Sequence, residues 1–355
     1  MVQVDLGPYI RNALWGNETP VKQNENWMAI MKVAKQQAVF GLVLHGAEKL
    51  MTGNVPKEKV FEWVATTEKI RQQNLLMNKD IIGLHQFIQV QEIDYRIVKG
   101  QVVACCYPQP LLRQSGDIDL YCTKEHYDRF LNLLQSKGIK IHYDASEKHV
   151  EFERHGFLYE LHWTLNNFSK RKWQEYFDRI LQEDKGMTVN IGGTEIPTLS
   201  PTMNALYIFI HLFHHLIHSG VGLRQLCDWM MWLHQYKDEI NKEELNRHLK
   251  ALELERPYRV LGAVLVEQLG LPDNEFPLVI TDRDRRRSKK IMADIMKMGN
   301  FGHNKQKTDG LGLVHSLQTG WQMMCQSVKY VDLAPKEIFG RVPHMVAWWM
   351  KKKVE

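Results

Sequence analysis

The sequence predicts an α+β protein, with a small sheet in the middle third and helical regions before and after it. Two observations predict this class. Apolar residues recur at helical spacing from Trp27 to about Glu92 and again beyond Ser200, whereas the runs between them are short and bounded by turn residues. The 355 residues suffice for two domains or one enlarged one, and 44% hydrophobic with 25% charged residues excludes a disordered or fibrous chain. The expected regions are 1–92, 93–198 and 199–355.

In the first region, Ile30, Val33, Ala34, Ala38 and Leu42 set a helix from Trp27 to Leu50, broken at Gly41, with Gly46 and Gly53 near its end. Pro56 opens a long second helix to about Glu92, striped with Phe61, Val64, Ile70, Leu75, Ile81, Leu84 and Ile88. The texture changes at Asp94. Strands are expected at Tyr95–Val98, Asp117–Cys122 and Ile139–Tyr143, with helices at Val102–Cys106 and His126–Gln135. A hairpin follows, His149–Arg154 and Phe157–Trp163 around His155-Gly156, and the unit counts roughly four strands. Its arms alternate, so Val150 and Phe152 oppose Glu151 and Glu153, while Glu160 and His162 share one face. A smaller hairpin, Met187–Ile191 and Glu195–Thr198, turns at Gly192-Gly193. Ser200 then caps a helix with Pro201 at its first position. Helices are expected at Thr202–His218, Leu223–Tyr236, Lys242–Glu253 and Arg256–Leu269, and another after Arg283–Lys290.

Charge and cysteine usage narrow the function. Lys and Arg number 46 against 41 Asp and Glu, and the resulting +5 suits a phosphate-bearing ligand but not a dedicated nucleic-acid binder. Five cysteines without a C-x-x-C pair indicate neither a disulfide framework nor a zinc ribbon, so a reducing, cytoplasmic setting is expected. No basic segment leads into an apolar run near Met1, so no signal peptide is expected. Met203–Ile217, the most apolar stretch, is too short to span a bilayer.

Chemistry concentrates in Arg113-Gln114-Ser115-Gly116-Asp117-Ile118-Asp119-Leu120. Side chains two apart on a strand face the same way, so Asp117 and Asp119 project together, a spacing that suits hard divalent cations. Aspartate is depleted in strands, and a pair on one face of an apolar strand calls for a reason. Lys99 and Arg113 flank this strand and are candidates either for phosphate contact or for ion pairs with Asp117 or Asp119. His162 is either a partner of Glu160 or a core histidine.

The run from Lys99-Gly100 through Tyr107-Pro108 and Arg113 to Gly116-Asp117-Ile118-Asp119-Leu120, followed by Glu160-Leu161-His162-Trp163, resembles the bacterial uncharacterised nucleotidyltransferase family of the DNA polymerase β-like nucleotidyltransferase superfamily. His214-His215 and Gly222-Leu223-Arg224-Gln225-Leu226-Cys227-Asp228 are similar to that family's downstream segments, so the resemblance covers residues 28–235. It implies a nucleotidyltransferase-fold mixed-sheet core with N-terminal helices and a C-terminal helical domain. It also implies Asp117, Asp119 and Glu160 as catalytic residues and as ligands of two Mg²⁺ ions, with an NTP as substrate. Lys99, Gly100, Arg113, Ser115, Gly116 and Arg224 are the expected nucleotide contacts. One departure is visible: Lys99-Gly100-Gln101 stands where the superfamily commonly has Gly-Ser or Gly-Gly, and Tyr107-Pro108-Gln109-Pro110 lengthens the path to the first aspartate.

Four other features carry alternatives. His211, His214, His215 and His218 form an i, i+3, i+4, i+7 stripe able to hold a transition metal, as in a metallohydrolase, but no H-E-x-x-H pattern accompanies them. Arg224 and Asp228 are spaced to pair along one helix. The basic run Arg283–Lys290, interrupted by Asp284 and lacking aromatics, is expected to be a solvated helix start, and Trp348-Trp349 to dock on the protein's own core rather than on a membrane. The leading function is Mg²⁺-dependent transfer of a nucleoside monophosphate from an NTP to a hydroxyl or phosphate acceptor, a small molecule or sugar rather than nucleic acid. A non-catalytic nucleotide-binding or scaffold protein on the same fold is the alternative.

Overall fold

The structure, a computed structural model, describes residues 4–16, 25–48, 55–143, 149–300, 322 and 324–340. Gly53, Gly310, Trp348, Trp349 and Lys351–Lys353 lie outside the described residues. The architecture is α+β, as expected. In chain order it comprises α1 (Gly7–Trp15), α2 (Trp27–Gln36), α3 (Phe40–Ala47), α4 (Lys57–Gln89), β1 (Arg96–Val98), α5 (Gly100–Ala104), β2 (Ile118–Tyr121), α6 (Lys124–Ser136), β3 (Ile141–Tyr143), β4 (His149–Arg154) and β5 (Phe157–His162). Then come α7 (Arg171–Glu183), β6 (Met187–Ile191), β7 (Thr194–Thr198), α8 (Pro201–His218), α9 (Leu223–Gln235), α10 (Lys242–Ala251), α11 (Glu255–Val264) and α12 (Asp282–Met298).

The sheet has five strands, not four, in the order β1-β2-β5-β4-β3; β2 and β5 run parallel and the other neighbours antiparallel. Alternation along the hairpin divides its faces as expected. Val150, Phe152, Tyr159 and Leu161 are at most 1% exposed, with Phe152 stacked on Tyr159 at 5.1 Å and edge-on to Phe130 of α6. Asp80 of α4 ties that helix to the same hairpin by meeting Arg154, His155 and Tyr159. The polar face is left for the cavity. A continuous apolar core runs through all three sequence regions, and no helix among the described residues is long and apolar enough to cross a membrane.

The first helix breaks at Ala38 (φ 55°), not at Gly41. The cause is tertiary. The Gln37 N–H still closes the helix on the Val33 carbonyl, but its buried amide donates to the Ile295 and Met296 carbonyls and accepts from the Leu223 N–H, and its own carbonyl accepts from the Arg224 N–H, which ties the helix end to α9 and α12. Gly41 instead permits close packing, since a Cβ there would stand 2.8 Å from the Leu112 carbonyl oxygen. Helices α1 and α7 were not among the expected elements, and the expected helix Arg256–Leu269 is α11 followed by a π turn, Leu265–Leu269. Ser200 caps α8 by accepting from the Met203 N–H, with Pro201 in the first turn, as expected.

Candidate active site

The site starts from a strained turn. Between β1 and α5, Lys99 adopts φ 58° and ψ −147° and Gly100 φ 47°. Positive φ is cheap for Gly100 but costs a lysine about 1–3 kcal/mol, a strain that persists only where surrounding contacts enforce it. Here the contact is an ion pair: Lys99 Nζ lies 2.9 Å from Asp119 Oδ1. The ammonium also approaches the ring nitrogens of His211 (3.3 and 3.4 Å) and the face of Tyr207 (5.7 Å to the centroid), both on α8.

Sheet register assembles the acids. In β2, Ile118 and Leu120 enter the core while Asp119 takes the other face, opposite Glu160 of β5, and Glu151 of β4 lies across from Glu160. Asp119 is 3% exposed. Asp117 is exposed and precedes β2 by one residue instead of belonging to it, yet carboxylate oxygens of Asp117, Asp119 and Glu160 all lie within 4.8 Å of one another. Three hard oxygen donors converging this closely fit a divalent cation such as Mg²⁺.

The electrostatics agree with that fit. Repulsion by the Asp119 carboxylate raises the Asp117 pKa. Burial works against the Asp119 anion, but Lys99 and His162 outweigh it and hold its pKa far below the usual range. Glu160 is likewise lowered, because the hydrogen bond from His162 (Nε2 to Oε2, 3.1 Å) overcomes burial. His162, 4% exposed and 3.3 Å from Asp119 Oδ1, is raised: burial disfavours its charge, and the two carboxylates more than compensate.

The expected basic contacts divide. Arg113 is 4% exposed and forks onto Asp228, Nε to Oδ1 and NH2 to Oδ2, each 2.7 Å, while the Tyr107 hydroxyl donates to the same Oδ1 at 2.7 Å. Its partner is therefore neither Asp117 nor Asp119, and the expected Arg224–Asp228 pairing gives way to Arg113–Asp228. Ser115 is engaged with Asn74 Oδ1 and Gln101 Oε1, both at 2.6 Å, and is not among the residues that line the cavity. Arg224 donates one NH1 bond to the Gln114 carbonyl (3.0 Å), and its buried Nε has no hydrogen-bond partner. Burial, then the neighbouring Arg113, lower its pKa. Lys99, Gly100, Arg113, Gly116, Arg224 and the three acids line one cavity of about 310 Å³, at the small end of the range for small-molecule sites.

The histidine stripe splits into two pairs. His211 and His215 line the cavity, their rings 4.4 Å apart, whereas His214 meets Asn166 and Glu337 and stacks near His218. Neither His211 nor His215 belongs to the groups of three metal-capable side chains found among the described residues. The basic run starts α12 with Arg283, Arg286, Lys289 and Lys290 exposed, as expected of a solvated helix start, while Thr281 and Asp284 form a capping box, Arg285 meets Glu267 and Asp273, and Arg287 meets Asp332. Sequence reasoning missed His149, which the two-residue turn at His155-Gly156 places directly across from His162, and it missed Tyr107 as a partner of Asp228.

The family model for an uncharacterised nucleotidyltransferase matches residues 23–270. The chain belongs to that uncharacterised nucleotidyltransferase family. Among solved structures it is similar to an antigenic nucleotidyltransferase-like protein from Paracoccidioides brasiliensis, with 18% identity over 55% of this chain and 92% of the other and a TM-score of 0.33. No curated protein matches.

Proposed function

We propose that this protein transfers a nucleoside monophosphate from an NTP to a hydroxyl or phosphate on a small molecule or sugar, with Mg²⁺ as the metal. The observation that carries the reading is the convergence of Asp117, Asp119 and Glu160 within 4.8 Å on the polar face of the sheet. Asp117, Asp119 and Glu160 would hold the divalent ion, which when bound would supply charge neutralisation of the triphosphate and favour loss of the acceptor proton. Asp117, exposed and repelled by Asp119, gains most from a cation. Glu160, kept anionic by His162, is a sound ligand but a weak base, and it takes the acceptor proton as the acceptor oxygen bonds to the α-phosphorus. The bond from that phosphorus to the β-phosphate oxygen breaks, and pyrophosphate leaves. Arg224, half-buried in the cavity wall, suits the triphosphate, and Lys99 reaches it by releasing Asp119. Arg113 acts at one remove, holding the loop before β2 against α9 through Asp228.

The experiment is incubation with each α-labelled NTP, Mg²⁺ and a panel of hydroxyl and phosphate acceptors. Label transfer with release of pyrophosphate is expected. Hydrolysis to nucleoside diphosphate and phosphate, or no reaction with any acceptor, contradicts the reading.

A further inference from the structure

We infer that His149, Glu160 and His162 form a second metal site on the same cavity, one that selects a divalent transition metal of the zinc class. Its metal binding stands without the transfer reading; only its bearing on catalysis, through the shared Glu160, rests on that reading.

Local sequence builds the site. A two-residue turn at His155-Gly156 fixes the register of β4 and β5, so His149 lies across from His162, and Glu160, two residues back, points from the same face. The donor atoms are already near coordination spacing. His162 Nε2 is 3.1 Å and His149 Nε2 3.9 Å from Glu160 Oε2, all three donors lie within 4.8 Å, and the ring centroids are 4.7 Å apart. A tetrahedral ion with bonds of about 2.0–2.1 Å requires donors about 3.3–3.4 Å apart, so closure asks only for small side-chain shifts. Asp119 Oδ1, 3.3 Å from His162 Nε2, is a further oxygen within reach.

A core histidine does not account for the arrangement. Both rings are buried, His162 at 4% and His149 at 8% exposure, and His162 Nδ1 is buried with no hydrogen-bond partner. Instead the ring is committed through Nε2 to Glu160 and Asp119. The donor set also differs in kind from the carboxylate group beside it. Mg²⁺ prefers oxygen, whereas imidazole nitrogen favours zinc-class ions.

The test titrates metal-stripped, full-length protein with Co²⁺ alone. The expected result is a visible absorption band of low-symmetry Co²⁺ that saturates at one equivalent, is displaced by Zn²⁺ and survives excess Mg²⁺. His149→Ala should weaken Co²⁺ binding by more than the roughly 10–100-fold that loss of an outer-sphere partner costs, whereas His211→Ala should leave it unchanged. Proton NMR of the Co²⁺-bound wild type should show paramagnetically shifted imidazole N–H signals from two histidines, a readout that needs no variant to fold. No such band, a band abolished by His211→Ala but not by folded His149→Ala, or no shifted imidazole signals overturns the inference. Imidazole-bound Co²⁺ in a protein that binds no NTP upholds this site and sinks the transfer reading; NTP transfer without imidazole-bound Co²⁺ does the reverse.

Discussion

Asp117→Asn is expected to lower nucleotide transfer by about 10²–10³-fold or more, the scale of losing one charge-stabilising group at a reacting centre, while the protein unfolds at the same temperature or a higher one. The two effects come from one cause. Asp117 stands beside Asp119 and Glu160, and its pKa is raised chiefly by the Asp119 charge. The folded state therefore binds that proton more tightly than the unfolded chain does, so ionising Asp117 lowers stability as pH rises through its folded pKa. Asparagine removes the repulsion and, with it, the negative charge that draws the cation. Steady-state transfer and thermal unfolding at neutral pH check both halves. Retained activity, or a clear fall in unfolding temperature with lost activity, contradicts the account, because the second outcome makes Asp117 a structural residue.

Asp228→Ala carries the largest expected loss of stability, about 3–5 kcal/mol, the range for breaking a buried ion pair from one side. Arg113 and the Asp228 side chain are 4% and 10% exposed, and the carboxylate also accepts from Tyr107. Its removal leaves a buried guanidinium and a phenol without their acceptor, at the point where the loop before β2 is anchored to α9. Replacing both partners, Arg113→Met with Asp228→Leu, should recover much of the loss, since burying two apolar groups costs less than stranding one charge. Chemical denaturation of the two variants measures this; a double variant no more stable than Asp228→Ala contradicts it.

Local pattern made much of the fold legible. The hairpin at His155-Gly156 was readable because its alternation and its turn pointed to the same register, and the cap at Ser200-Pro201 because its signal lies within four residues. That register already implied His149 opposite His162 and Glu151 opposite Glu160, so the second donor set was derivable from the expected turn alone. Helix α7 was equally open to pattern, with Trp173, Phe177, Ile180 and Leu181 on one buried stripe. The break at Ala38 was not, since the Gln37 side chain at the helix end bonds residues more than 180 positions away. Partner choice was also out of reach. Spacing on α9 favoured Arg224 with Asp228, but Arg113 arrives from 115 residues earlier in the chain and takes both carboxylate oxygens, which leaves Arg224 facing the cavity.

The central claim is that the three acids gather metal and triphosphate together. Calorimetric titration with each NTP, with and without Mg²⁺, tests it without knowledge of the acceptor. The account predicts that at least one NTP binds the wild type in the presence of Mg²⁺, and that EDTA or Asp117→Asn removes most of that affinity. Failure of every NTP to bind folded wild-type protein with Mg²⁺, or binding indifferent to both metal and Asp117, contradicts it.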